Sequence, residues 1–321
     1  MKLGILSTAR INRAVLTGAW LSDRVDVVAV ASRDAVRAEA YAKEHGIERA
    51  YGGYDALLGD PDVEAVYISL PNSLHVAWSI RALEAGKHVL CEKPLARRPV
   101  EVERAFDAAE RAGRILMEAF MYRHHPQTKR VAELVAEGAV GELRLVRASF
   151  SFTVADEANV RLRPELDGGS LMDVGCYCVS GARLVAGEPE AVAAQQVVGA
   201  TGVDVRFTGT MSFPGGALAH FDSGLDLPSR SDLEAIGSAG TIHVRDPWLI
   251  RETGLELRRG DHVERIEIPN PNRYQLELEN LADAIRGEAK PLLGRDDALG
   301  QARTIEALYR AAETGAAVSL G

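Results

Sequence analysis

Apolar runs alternate with amphipathic stretches through the first 120 residues, and this alternation restricts the fold more than any single motif. The runs at 2–7, 25–31, 64–70 and 88–91 read as buried strands. Helical patterns follow at about 11–21, 34–44, 75–86 and 100–112, before a further apolar segment at 115–118. Two parallel strands cannot be joined by a tight turn. They need a crossover of a dozen or more residues, usually a helix. Strands spaced in this way therefore predict a parallel, doubly wound sheet with helices on both faces.

After Gly141 the pattern changes. Strand-like segments at 143–154, 191–197, 203–213, 216–223, 231–237, 241–245, 254–258 and 262–268 follow one another, several separated by Gly-containing turns. This predicts a large open, mainly antiparallel sheet. Helices at about 274–286 and 296–313 close the chain. The expected organisation is α/β: a Rossmann domain over 1–121, then an α+β domain over 122–321. With no following helix to cover its far face, the open sheet would expose apolar area, which monomers seldom do. A homodimer or higher homo-oligomer is expected, with Leu218, Phe221 and Leu225 as candidates for that face.

At 321 residues the chain suits two domains, and 46% hydrophobic residues supply a substantial core. A net charge of −9 argues against nucleic acid and anionic membrane as partners. The apolar stretches fall short of a bilayer span, and the N-terminus has no signal-peptide pattern. Cys91, Cys176 and Cys178 form no CxxC pair, which suits a reducing compartment, so a cytoplasmic location is expected.

Open α/β sheets bind ligands at the carboxyl ends of their strands. Three segments of this chain fall there. Ser7-Thr8-Ala9-Arg10-Ile11-Asn12 occupies the place of a Gly-rich phosphate loop, with none of its glycines; small residues at 7 and 9 still admit a phosphate. An ordinary strand–helix turn is the alternative. Ser32-Arg33 ends the second strand, where a carboxylate favours NAD and an Arg favours the 2′-phosphate of NADP. Glu92-Lys93-Pro94 ends the strand that starts at His88. Pro94 keeps Lys93 extended, and a Lys so held can carry a proton, unless the pair is merely a solvated strand end.

A second constellation, Asp167-Gly168-Gly169-Ser170-Leu171-Met172-Asp173-Val174-Gly175-Cys176-Tyr177, reads as a helix entry with the helix running to about Leu184. Asp173 and Tyr177 are four residues apart and share one face, from which both can hydrogen-bond one polyol. Helix-dipole compensation by Asp173 and core packing by Tyr177 would explain the same residues. Adjacent His124 and His125 point apart, and nothing elsewhere completes a ligand set, so no metal is expected.

Taken together, GILSTARI (4–11), SLPNSLH (69–75), EKP (92–94), MEAFMYRHHP (117–126) and GGSLMDVGCY (168–177) resemble the Gfo/Idh/MocA oxidoreductases. Within that family the chain looks most like the D-xylose 1-dehydrogenase and dimeric dihydrodiol dehydrogenase subgroup. The resemblance implies NAD(P)-dependent hydride transfer at the carbinol carbon of a sugar or cyclic diol, and oligomerisation through the C-terminal sheet; Ser32-Arg33 makes NADP the expected cofactor, NAD being possible. It places residues 7–12, Ser32, Arg33, Leu70, Asn72, His75, Glu92 and Lys93 along the cofactor, and implies a cis Lys93–Pro94 peptide. It makes Lys93 and Tyr177 the catalytic pair, without saying which takes the proton. Asp173 orients the hydroxyl, and Arg123 with His124 or His125 lines the substrate pocket. A 3-keto-sugar reductase, another pyranose or cyclitol dehydrogenase, and a dinucleotide-binding sensor without turnover are the alternatives.

Overall fold

The structure, a computed structural model, describes residues 1–320. The chain forms two compact units. The first comprises Met1–Ala96, Val100–Met121 and Pro271–Leu299; the second comprises Arg97–Pro99, Tyr122–Asn270 and the residues from Gly300 onward.

In the first unit, the chain runs β1 (Lys2–Leu6), α1 (Asn12–Trp20), β2 (Asp26–Ala31), α2 (Ala35–His45), β3 (Arg49–Tyr51), α3 (Tyr54–Leu58), β4 (Ala65–Ile68), α4 (His75–Glu84), β5 (His88–Glu92), α5 (Pro99–Ala112) and β6 (Leu116–Ala119). The six strands are all parallel in the order β3-β2-β1-β4-β5-β6. Leu3, Ile5, Val66, Ile68, Val89 and Leu90 are fully buried, because helices cover both faces of such a sheet. The order turns back on itself at β1/β4, the switch point at which these folds open their crevice. Helix α8 (Arg273–Ile285), which follows the second unit's strands, belongs here too and packs on α1. A Cβ at Gly18 would lie 2.6 Å from the Gln275 backbone nitrogen, so only glycine lets the two helices come this close.

The second unit begins with α6 (Pro126–Ala136) and β7 (Leu143–Thr153). After a loop with two short 3₁₀ turns come a π-helical turn, Leu171–Gly175, and α7 (Cys176–Ala186). Strands β8 (Ala191–Val198), β9 (Asp204–Ser212), β10 (Leu218–Gly224), β11 (Asp226–Gly237), β12 (Thr241–Arg245), β13 (Leu255–Arg259) and β14 (His262–Ile266) complete most of the sheet. Then come α8 (Arg273–Ile285), α9 (Arg295–Thr314) and the short β15 (Val318–Ser319). The nine strands are ordered β14-β13-β12-β11-β7-β10-β9-β8-β15, antiparallel except where β10 runs parallel to β7.

Alternation along these strands sorts the two faces. Val146, Ala148, Phe150, Phe207, Met211, Ala219, Phe221, Leu233, Ala235, Ile242 and Val244 are buried on one face. The other carries Arg147, His220, Asp222, Arg230, Asp232, Glu234 and His243 around a groove of about 250 Å³. The expectation of an apolar open face is corrected here. Phe221 and Leu225 are each 1% exposed, and of the three candidates only Leu218 faces outward. Phe221 lies one residue out of phase with Leu218 and His220, so the strand's period of two puts it in the core. The outward face is laced with ion pairs instead: Arg147–Glu234 at 3.2 Å and Arg230–Asp222 at 2.6 Å. Among the described residues, no helix is long and apolar enough to cross a membrane.

Candidate active site

On the first unit, the turn after β1 is built without glycine. Ser7 nevertheless has φ +133°, a region that L-residues other than glycine rarely adopt. Side chains on its buried side hold it there. Ser7 Oγ lies 2.8 Å from Ser69 Oγ and accepts from Ala9 N at 3.0 Å. Buried Asn12 donates through Nδ2 to Ser7 O (2.9 Å) and accepts from Ser69 Oγ (2.6 Å). The three polar residues replace the conformational freedom of the missing glycines with a clamp. Thr8, Ala9 and Arg10 lie in the same turn, toward Ile11. No side chain caps the start of α1, and its first turn carries no acid, so this end presents the partial positive charge that suits a pyrophosphate.

At the end of β2, Ser32 is buried and Arg33 exposed. Burial pushes the Tyr54 phenol up, while Arg33 and Arg37 pull it back, so both guanidiniums stand near that hydroxyl. Arg37 was not singled out from sequence: as the third residue of α2 it looks like any surface charge.

Beyond β4 and β5 the chain is tied down residue by residue. Tyr67, buried in β4, donates its hydroxyl to Glu92 Oε1 at 2.5 Å, and Lys93 N donates to Glu92 Oε2 at 3.3 Å. The Lys93–Pro94 peptide is cis. Leu95 N donates to the buried Glu118 at 2.7 Å. His75 is enclosed, with Nδ1 2.9 Å from Pro94 O and Nε2 2.8 Å from Leu70 O. Only the doubly protonated ring could donate to both carbonyls. Burial lowers its pKa and disfavours that form, so His75 bridges Leu70 and the Lys93–Pro94 turn through one donated bond. Asn72 opens the 3₁₀ turn that leads into α4.

On the second unit, Asp173 and Tyr177 do not sit on one regular helix. The π-helical turn places Asp173 in a wider coil, and Tyr177 in the first turn of α7. Asp173 is gripped by Arg161, whose Nε lies 2.6 Å from Oδ2. Arg163 is exposed. Tyr177 is buried in an aromatic nest, with ring centroids of Phe150, Tyr122 and Trp248 at 5.4, 5.7 and 6.1 Å. Trp248 is anchored by Nε1 donating to Ser149 O at 2.9 Å, and a Cβ at Gly181 would meet its ring at 2.6 Å. No sequence signal marked Trp248, because it reaches this nest from a turn some seventy residues downstream.

Arg123 and Tyr122 both donate to the buried Ser180 hydroxyl, at 3.3 and 2.7 Å. The two histidines part company. His125 caps α6, its Nδ1 accepting from Gln127 N at 3.1 Å. His124 is 3% exposed, and its Nε2 meets no hydrogen-bond partner among the described residues. Burial, with Lys129 and Arg123 beside it, lowers its pKa to about 3. The cysteines are buried free thiols; burial pushes Cys91 and Cys178 well up, which leaves them unreactive. Among the described residues no His, Cys, Asp and Glu group could hold a metal ion.

Residues 2–120 match the model of an oxidoreductase family with an NAD-binding Rossmann fold, and residues 128–243 match the GFO/IDH/MocA C-terminal domain. A D-xylose 1-dehydrogenase (NADP(+)) of Haloferax volcanii is 41% identical over 325 residues, covering 100% of both chains. Among solved structures, an aldose-aldose oxidoreductase from Caulobacter crescentus has a TM-score of 0.93 at 30% identity, covering 99% of each chain. A 3-ketoreductase from Actinomadura kijaniata, in complex with NADP and TDP-benzene, has a TM-score of 0.92 at 32% identity over 97% of each.

Proposed function

For this chain, which belongs to the GFO/IDH/MocA oxidoreductase family, we propose oxidation of an aldose of the D-xylose or D-glucose kind at C1, with NADP as hydride acceptor. It is an NADP-dependent oxidoreductase acting on the CH–OH group of a sugar or diol. The observation that carries the aldose reading is the end-to-end 41% identity to the D-xylose 1-dehydrogenase. A second reading, reduction of a 3-keto sugar, draws on the 0.92 TM-score to the ketoreductase.

When bound, NADP would supply or accept the hydride; the rest of the chemistry is the chain's own. The uncapped start of α1 and the clamped Ser7–Ile11 turn would receive the pyrophosphate, and Arg33 with Arg37 the 2′-phosphate. Leu70, Asn72, His75 and Glu92 would frame the nicotinamide end. Arg161 holds the Asp173 carboxylate, which would orient the substrate hydroxyl. Proton transfer at that hydroxyl falls to Lys93 and Tyr177. A phenol ordinarily keeps its proton at neutral pH. The packed nest around Tyr177 restricts its rotation, as a general acid–base group requires. Arg123 would line the sugar site.

The test is Tyr177→Phe beside Lys93→Met. Each should lose roughly 10²–10⁴ in turnover while keeping NADP binding. Near-native turnover in both would put the chemistry elsewhere. We also propose a homodimer formed through the outward face of the second sheet, where a groove of about 250 Å³ is lined by charges, and a cytoplasmic location, supported by the three free thiols. A monomeric mass by light scattering at micromolar concentration would reject the dimer.

A further inference from the structure

Asp204 opens β9 and is 4% exposed. Its carboxylate collects three donors from two distant segments. Oδ2 accepts from Ser170 Oγ at 2.9 Å and from Leu171 N at 2.8 Å; Oδ1 accepts from Tyr309 Oη at 2.9 Å. The backbone of Gly169, at φ +122°, passes so close that a Cβ there would lie 2.1 Å from Oδ1. Ser170 Oγ is also 3.2 Å from Ser223 Oγ. Tyr309 is itself held firmly. The Arg97 guanidinium stands 3.7 Å above its ring centroid, and Phe207 meets it edge-on at 5.6 Å.

What this carboxylate grips is the entry to the π-helical turn Leu171–Gly175. Such turns are rare and recur at functional sites, because an α-helical path is ordinarily preferred. Something must hold the first residue while the extra one is accommodated. Asp173 lies two residues past the gripped Leu171 amide and Tyr177 six, so a change of register at the entry passes to both. A helix turns about 100° per residue, so losing the extra residue would swing one side chain against the other.

We propose that Asp204 is a positioning residue: it holds Leu171–Gly175 in its π register and thereby sets the placement of Asp173 relative to Tyr177. The consequence for turnover rests on the activity proposed above; the geometric claim does not.

Asp204→Ala removes all three acceptors. Asp204→Asn can keep the arrangement, its carbonyl replacing Oδ2 while its amide donates to Tyr309 Oη, which then accepts. Expected for Asp204→Ala is a roughly 10–100-fold fall in kcat per folded site, the scale of a misplacement of about 1 Å. NADP affinity should be unchanged, and KM for the sugar should move far less than kcat. Asp204→Asn should restore kcat to within about threefold. The second readout is Trp248 fluorescence in a Trp20→Phe/Trp78→Phe background, since Trp248 packs against Tyr177; it should shift in Asp204→Ala and return in Asp204→Asn. Native kcat and native emission in Asp204→Ala would overturn the proposal, as would an Asn variant no better than Ala. Should Asp204→Ala not fold, Tyr309→Phe decides: a kcat loss with unchanged NADP affinity supports the role, and native kcat refutes it. If the parent protein turns over no sugar, the activity reading fails and the Trp248 emission still decides the role of Asp204.

Discussion

His124 should make the second unit acid-labile in a window that can be calculated. Its imidazole is 3% exposed, and its pKa falls from the ordinary 6.5 to about 3, through burial first and then through Lys129 and Arg123. The unfolded chain binds a proton as pH drops through about 6.5, and the native state does not until about 3. Protons therefore favour the unfolded state between those values, and stability rises with pH across the window. The penalty is absent at pH ~8, is about 2 kcal/mol at pH ~5, and approaches about 5 kcal/mol below pH ~3. The assay is urea unfolding followed by Trp248 emission after Trp20→Phe and Trp78→Phe, so that the signal comes from this unit alone. It is run at pH ~8 and ~5, with and without His124→Gln. Glutamine loses packing at both pH values, but that loss cancels in the pH difference. The parent should lose about 2 kcal/mol more than His124→Gln between the two conditions. Equal losses would mean that His124 protonates freely in the native state, and the reasoning would be refuted.

Arg33→Ala should cut the preference for NADP over NAD by about tenfold or more, since a charge-assisted phosphate contact is worth roughly 1.5–3 kcal/mol. Ratios of kcat/KM for the two cofactors measure it, and an unchanged ratio would remove Arg33 from 2′-phosphate recognition. Phe221→Ala should cost about 3–5 kcal/mol in denaturant unfolding, while Leu218→Ser, one face over, should fall within about 0.5 kcal/mol of the parent when measured as a monomer. A reversed ranking would contradict the sheet's inward and outward assignment.

The local patterns in the sequence were informative wherever one element's own period decided the answer. Apart from β3 and α3, which were not read, the alternation before residue 121 and the strand segments after Gly141 correspond closely to the observed elements, because a buried strand or an amphipathic helix shows its period within its own length. What could not be read depends on partners far along the chain. The Leu171–Gly175 turn looks like ordinary helix in sequence; its π register goes with an acceptor at Asp204 and a tyrosine at 309. Phe221 looked available for an exposed face only because the phase of β10 is set by its neighbours β7 and β9. Nor does the period of α8 reveal that it returns to the first unit; that is marked by a single glycine, Gly18, on another helix. Ser7 is the converse case. A serine in place of the fingerprint glycine argued against a phosphate turn, yet the residue takes a glycine-like φ because Asn12 and Ser69 clamp it.

The parallel pairing of β7 with β10 has a consequence for how this enzyme can change its substrate. Antiparallel neighbours can be joined by two residues, whereas a parallel pair obliges the chain to travel to the far side before returning. Here the detour leaves β7 at Thr153, passes Arg161, Asp173 and Tyr177, crosses by α7, and comes back through β8 and β9. Asp173 and Tyr177, both proposed for the sugar site, thus lie in one continuous strap, whose two ends are fixed by the register of the sheet. Apart from Arg161, which holds Asp173, and Gly168, where a Cβ would lie 2.4 Å from Arg161 O, residues 155–168 can lengthen, shorten or exchange side chains without disturbing a single strand pairing. An insertion after Leu171 would instead rotate Asp173 and Tyr177. Divergence toward new sugars is therefore expected to accumulate ahead of Gly169 and to stop abruptly at it.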